Sequence, residues 1–469
     1  MTTRNSSIAM SGQKGVFANR VTAIFSTKVV AFMLSFATTI VISRILGRDG
    51  KGAYVNVMLV PGLLGAIGVF GLPNAINYFS ARGTSPRGLL GAGVAFTAIL
   101  SAILIPLLWF SLPWTQTSVF SDAAKVYPDQ LRVVLAVIPA ALLSSFGMAV
   151  LYGRQQVRTY STILIGQGVI TFTLSTILVA VFRFGVPGAV AASIAVTWLL
   201  AIADVVAVGR LSRREPGGKR VSFRGLTGYG LRIYPASITG YFNYRIDIML
   251  MPILMAGNAG ALGLYSMAVT MAELIFYIPD SVTMVFLPRI AGLSKEDADA
   301  LVGRVSRLTV LLTGAVALCL IPAAFIGIHL VLPAFSDCLP AFYVLLPAVM
   351  SLSLSKVMTS YIAGRGRPGL ISVGSAIAVA ANIGANLILI PRYGIVGASL
   401  SSLISYSISA AILLTVSSRL SERSILSLVV PGREEVHLVV ARVRVLLGRA
   451  LGRVGRRGAR PTIESGTPT

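Results

Sequence analysis

The chain has 469 residues, 55% of them hydrophobic and only 12% charged, with a mean hydropathy of +0.82. A soluble domain carries about 25% charged residues, so this balance excludes a soluble globular enzyme and points to a polytopic membrane protein. The net charge of +24 would suggest nucleic acid in a soluble chain; beside so much apolar sequence it reads instead as the inward bias of basic loops, and nucleic acid is not an expected partner.

The N-terminal stretch is polar and lacks a cleavable signal pattern, and the first apolar run is too long for a signal h-region. A membrane span needs about 20 mostly apolar residues. Runs of that kind fall near 20–44, 53–79, 88–110, 129–152, 160–182, 187–208, 229–254, 260–288, 306–332, 340–362, 369–391 and 397–418, so about twelve transmembrane helices are expected. The longest outer loop, near 111–128, is too small for a folded domain. Basic residues gather in loop 209–228 (Arg210, Arg213, Arg214, Lys219, Arg220, Arg224), in loop 289–305 (Arg289, Lys295, Arg304) and beyond Arg419. Few, among them Arg48, Lys51 and Lys125, fall on the other side. This asymmetry predicts a multi-pass protein with both termini cytoplasmic.

The expected organisation is a cytoplasmic N-terminus (1–19), a six-helix half (20–208), a basic cytoplasmic linker (209–228), a second six-helix half (229–420) and a basic cytoplasmic tail (421–469). The halves echo each other. "RFGVPGA" at 183–189 precedes the sixth span, and "RYGIVGA" at 392–398 precedes the twelfth, 209 residues on. "GAY" at 52–54 opens the second span, and "GLY" at 263–265 opens the eighth, 211 residues on. With six spans each, the halves start on the same side, which makes a parallel repeat with a cleft between them. The expected fold is therefore an all-α integral membrane protein, two parallel six-helix halves around a central cavity. The tail places Arg442, Arg449, Arg453, Arg456 and Arg460 near one helical face, suiting a helix on the anionic inner leaflet.

Ionisable groups at membrane depth cost roughly 3 kcal/mol or more each and usually face a bundle interior or a watery cavity. The candidates are Lys28, Asp204, Arg245, Asp247, Glu273, Asp280 and Lys356. At helical spacing each falls in a polar stripe: Lys28 with Ser35 and Thr39; Asp204 with Ser193 and Thr197; Glu273 and Asp280 with Ser266, Thr270 and Tyr277; Lys356 with Ser353 and Ser360. The eleventh span adds Ser375, Asn382 and Asn386. In "GYFNYRIDIMLM" (240–251), Arg245 and Asp247 are two apart and point to nearly opposite sides, so they do not pair locally. Arg245 shares a face with Tyr241, Ser237 and Tyr234, and Asp247 with Asn243 and Thr239, making this helix polar on two faces.

Cys319, Cys338, His329 and His437 give no disulfide or metal spacing. There is no P-loop, GxSxG, HExxH or paired CxxC. Neither an enzyme nor a cofactor is expected.

"ISRILGRDGKGAYVNVML" at 42–59 resembles the turn between the first and second spans of the polysaccharide and oligosaccharide flippase (Wzx-like) family, with Arg44, Leu46, Gly47, Gly52 and Tyr54 on its RxLGxxxxGxY pattern. "YRIDIMLMPILMAGNAGALGLYSMA" at 244–268 resembles the family's seventh-to-eighth-span segment, and residues 363–406 its last two spans. The resemblance runs over roughly residues 15–420. It implies a MATE-like fold and the transfer of undecaprenyl-pyrophosphate-linked oligosaccharide across the bacterial plasma membrane by alternating access, with glycosyltransferases and a polysaccharide polymerase as partners. An anionic head group on a greasy tail asks for a cationic, polar cavity. Lys28, Arg245 and Lys356 supply the cations, while Tyr241, Asn382 and Asn386 offer hydrogen bonds to sugar. Asp204, Asp247 and Glu273 are the candidates for ion coupling. A cation-coupled drug exporter and a lipid II flippase are the rival readings. The first should show a cavity dominated by acids, and the second generally carries spans beyond the twelfth. A glycan polymerase would need a large outer loop.

Overall fold

A computed structural model describes residues 2–118, 128–219, 222–255, 258–291, 293–437, 439 and 441. The first half comprises α1 (Thr2–Gly68), α2 (Leu72–Ala81), α3 (Pro86–Ser118), α4 (Pro128–Val134), α5 (Val137–Gly153), α6 (Val157–Ser175) and α7 (Gly185–Arg214). The second comprises α8 (Phe223–Leu254), α9 (Ala259–Ala272), α10 (Tyr277–Ala291), α11 (Lys295–Val331), α12 (Leu339–Gly364), α13 (Pro368–Ser421) and the short α14 (Ile425–Val429). Nine helical segments among the described residues are long and apolar enough to cross a membrane.

Two of these segments are hairpins. α1 breaks at Gly47 (φ 67°) and α13 at Gly394 (φ 56°), so each supplies two spans. The helix α8, the run expected at 229–254, carries more polar residues than these nine and makes the twelfth. Gly394 matches Gly185 (φ 63°) of the first half, 209 residues earlier. Both hold a left-handed conformation that costs other residues about 1 kcal/mol or more. The repeated glycines are thus the points at which spans reverse direction.

Each half has its own core. In the first, Ile76, Ile138 and Phe146 are fully buried; in the second, Tyr265, Phe335, Phe342 and Tyr361 are. Large apolar side chains such as Phe110, Leu318 and Leu330 face outward, as lipid contact requires. Several spans are irregular. α6 ends in a π-helical turn, Thr176–Val181, and α9 joins α10 through a 3-10 turn, Glu273–Phe276.

The halves meet most closely at the end away from the linker. A Cβ on Gly52 would sit 1.7 Å from the Ala259 carbonyl oxygen, and one on Gly263 2.0 Å from that of Arg48. An Arg48–Asp337 ion pair (3.4 Å) joins them there as well. At the linker end α2 crosses α8, with Gly71 (φ 69°) against the Gly230 backbone and Tyr78 stacked on Tyr229. The linker itself is strapped to the first half, where Lys219 exchanges backbone hydrogen bonds with Gly83 and Ser85.

Past α13 the chain folds back on α11. Leu428 is fully buried, and Arg307 donates to both Glu435 Oε1 (2.9 and 2.6 Å) and the Ser427 carbonyl (2.6 Å). The expected surface helix with Arg442 to Arg460 lies outside the described residues, as do Lys125, Arg220 and residues 119–127 of the loop near 111–128.

Candidate substrate cavity and its charged lining

A cavity of about 450 Å³ opens between the first limb of α1, α6 and α10, in the linker-side half of the bundle. Lys28, Ser35, Tyr160, Gln167, Thr171, Tyr277 and Asp280 give it a polar wall. Phe32 meets Tyr277 edge-on (5.0 Å) across the two halves at its edge. Lys28 and Ser35 thus share the cavity that their spacing on one helix face suggested. Asp280, one of the sequence candidates without an assigned role, lies there too. Tyr160, Gln167 and Thr171 escaped the sequence reading; a glutamine in the middle of an apolar span was the available signal.

The basic groups are held by acids on one crossing segment. Lys356 Nζ of α12 lies 2.6 Å from Asp280 Oδ1 and 4.1 Å from the centre of the Phe276 ring. Arg245 of α8 pairs with Glu273 (3.3 Å). Arg245 and Glu273 are 40% and 32% exposed, and of these four charged groups it is Asp280 that lines the 450 Å³ cavity. Glu273 opens the 3-10 turn, and Asp280 stands on α10 just past it. The stripe read along the eighth span is therefore bent at its charged residue. Ser266, above the bend, is buried and bonded to the Gly263 carbonyl.

The other face of α8 is sealed. Asp247 is buried, accepting hydrogen bonds from Tyr265, from Ser402 (3.0 Å) and from the Ile248 backbone (3.0 Å). Asn243 accepts from Ser405 (2.8 Å). Asn382 and Asn386 are fully buried on α13. Asn382 reaches the Asn243 carbonyl (3.5 Å), and Asn386 donates to Asn382 (2.5 Å). Tyr244, Asp247, Glu273, Phe276 and Tyr406 enclose a void of only about 10 Å³, room for one water or ion at most. Tyr241 faces Gly62 of α1, and its stripe-mates Tyr234 and Ser237 bond to the Ile67 carbonyl (2.8 Å) and Asn74 (3.1 Å).

Asp204 stands apart from this site. It is fully buried between α5 and α7, where Ser144 donates to Oδ2 (2.6 Å) and Oδ1 has no partner. Gly147 makes room for it, since a Cβ there would lie 2.6 Å from that of Asp204. Among the described residues no group of three or more His, Cys, Asp and Glu could hold a metal ion.

Two bases, Arg245 and Lys356, are thus each paired with one carboxylate of the α9–α10 segment. Comparison with known proteins agrees on the fold. The inward-facing structure of a multidrug resistance MATE transporter of the MOP superfamily superposes with a TM-score of 0.66, at 16% identity over 84% of this chain and 96% of that one. The lipid II flippase MurJ, in an inward closed conformation, gives 0.68 at 12% identity over 85% and 87%. Stage V sporulation protein B of Bacillus subtilis (strain 168) is 26% identical over 193 residues, 39% of this chain and 37% of that protein. The family model of polysaccharide biosynthesis proteins, Polysacc_synt_3, matches residues 41–334, well over half of the chain. The chain thus belongs to the polysaccharide biosynthesis protein family, as a multi-pass membrane protein with the fold of those transporters.

Proposed function

We propose that the chain moves undecaprenyl-pyrophosphate-linked oligosaccharide, a polysaccharide repeat unit, from the inner to the outer leaflet of the bacterial plasma membrane by alternating access of its two halves. The observation that carries this reading is the polar cavity walled by Lys28 and Asp280, with Lys356 paired to Asp280 and Arg245 paired to Glu273 on the same α9–α10 segment. Guanidinium and ammonium groups suit phosphate. Tyr160, Gln167 and Thr171 of the cavity wall are placed to meet sugar hydroxyls, and Tyr241, against Gly62 of α1, would reach them only as the halves part. Asn382 and Asn386 act indirectly, holding α8 in place. Coupling to an ion rests with Glu273 and Asp247, whose side chains share the small void. Both termini are cytoplasmic, and the enzymes that build and polymerise the glycan act before and after this step.

The test is a vesicle assay with the purified full chain and a fluorescent isoprenyl-diphosphate oligosaccharide, scored by quencher access. Wild type should flip it, and Arg245→Ala and Lys356→Met should each slow flipping at least tenfold without loss of protein from the membrane. Flipping of lipid II alone, or efflux of organic cations alone, would hand the case to one of the rivals.

A further inference from the structure

Two ion pairs of the same design, Arg245–Glu273 and Lys356–Asp280, meet the cavity wall at Asp280. The bases stand on α8 and α12. The acids both stand on the α9–α10 segment, at and just beyond its 3-10 turn. Short 3-10 stretches inside longer helices often mark hinges. A swing of α10 about this turn would carry both carboxylates away from Arg245 and Lys356 together.

Charge balance limits how an anion can enter. As they stand, the two pairs are neutral. A diphosphate diester brings two negative charges. Set beside Arg245 and Lys356 with both carboxylates still ionised, it leaves two surplus negative charges in low dielectric, of which Lys28 across the cavity offsets one. Uncompensated charge in such a space is relieved by protonation. We infer that the anionic head group replaces Glu273 and Asp280 as the partner of Arg245 and Lys356, and that the displaced carboxyls take up one to two protons as it binds. The inference rests on the reading of the cavity as a diphosphate site.

The surroundings allow this exchange. Glu273 is faced by Arg245 and Asp247 of α8, Lys356 of α12, Tyr244 of α8, Tyr277 of α10 and Tyr406 of α13. Asp280 is faced by Lys356, Tyr244, Tyr277 and, across the cavity, Lys28. Asp247 already accepts three hydrogen bonds and is left out of the exchange. Glu273 and Asp280 are 32% and 41% exposed, so neither carboxyl is sealed from protons, and Asp280 lines the cavity itself.

Calorimetry on the full chain in nanodiscs decides the matter. The probe is a short-chain isoprenyl diphosphoglucose, a diester whose two charges are fixed at neutral pH. Titrations in two buffers of different ionisation enthalpy count the protons. Wild type should take up one to two per probe, and Kd should rise up to tenfold per pH unit for each proton taken up. Glu273→Gln and Asp280→Asn should each bind the probe more tightly than wild type on the alkaline side and take up about one proton fewer. Binding with no proton uptake and a flat Kd overturns the exchange and leaves the diphosphate site standing. Absence of binding at every pH overturns the site as well. The wild-type titration settles the question alone if a variant does not fold.

Discussion

Gly52 and Gly263 occupy equivalent places in the two halves, 211 residues apart, and each lies on the backbone of the other's helix. At both glycines the nearest atoms across the contact are backbone. The contact is a shape match, available only while both residues lack a Cβ.

Gly52→Ala should therefore pry this end apart. A methyl group 1.7 Å from a carbonyl oxygen has no rotamer to escape into, and overpacking of this kind costs about 1–3 kcal/mol. Spin labels at Arg183 and Arg392, exposed and equivalent at this end, should move apart by several ångströms in the variant. An unchanged distance distribution would contradict the packing argument.

The Lys356–Asp280 pair should behave as a unit. Lys356→Met leaves a carboxylate alone at membrane depth, but Asp280 is 41% exposed, so the cost should be about 1 kcal/mol rather than that of a fully buried ion. Adding Asp280→Asn should restore thermal stability without restoring head-group binding. A double variant less stable than Lys356→Met alone would show that the pair is not coupled.

Ser144 should matter more than its size suggests. It is the side chain that donates to the buried Asp204, and leaving a buried acceptor bare costs about 1–3 kcal/mol. Ser144→Ala should lower the unfolding temperature clearly, while Asp204→Asn, which keeps shape and removes any charge, should be close to neutral. Equal losses in both variants would speak for an obligatory carboxylate.

The fold-back after α13 should be sensitive to acid. The Arg307 guanidinium, donating to Glu435, holds its carboxyl below the ordinary value of 4.5. A depressed pKa means that the contact is at full strength above 4.5 and fades as pH falls below that value. Limited proteolysis after α14 should be slow near neutrality and faster in acid, and Glu435→Gln should be fast at both. Cleavage of wild type that does not change with pH would dismiss the role given to this pair.

Much of this architecture is legible in the sequence because membranes impose simple lengths. Apolar runs gave the spans, and the glycine repeats at 185 and 394 gave the reversals. The separation of Arg245 from Asp247 followed from helical angles, and the two do look to different partners. Periodicity is blind to local breaks. It carried one straight stripe from Ser266 to Asp280 through what is a 3-10 turn. It also could not tell a polar face that lines space from one that clasps a neighbour. Asn382 and Asn386 show this: their spacing is that of a lining residue pair, yet both are spent on each other and on α8. Which bases meet which acids depends on helices far apart in the chain, and no single-helix pattern encodes it.

The strap between Lys219 and residues 83–85 has a mechanical consequence. The peptide chain passes from one half to the other only once, between Arg214 and Phe223, and the tether from Lys219, pinned to the first half, to Phe223 is four residues long. At about 3.5 Å per residue that tether reaches some 14 Å. The end bearing the strap works as a leash of fixed length, whereas the end held by Gly52 and Gly263 has no covalent limit. Excursions of the molecule should therefore be larger on the unleashed side.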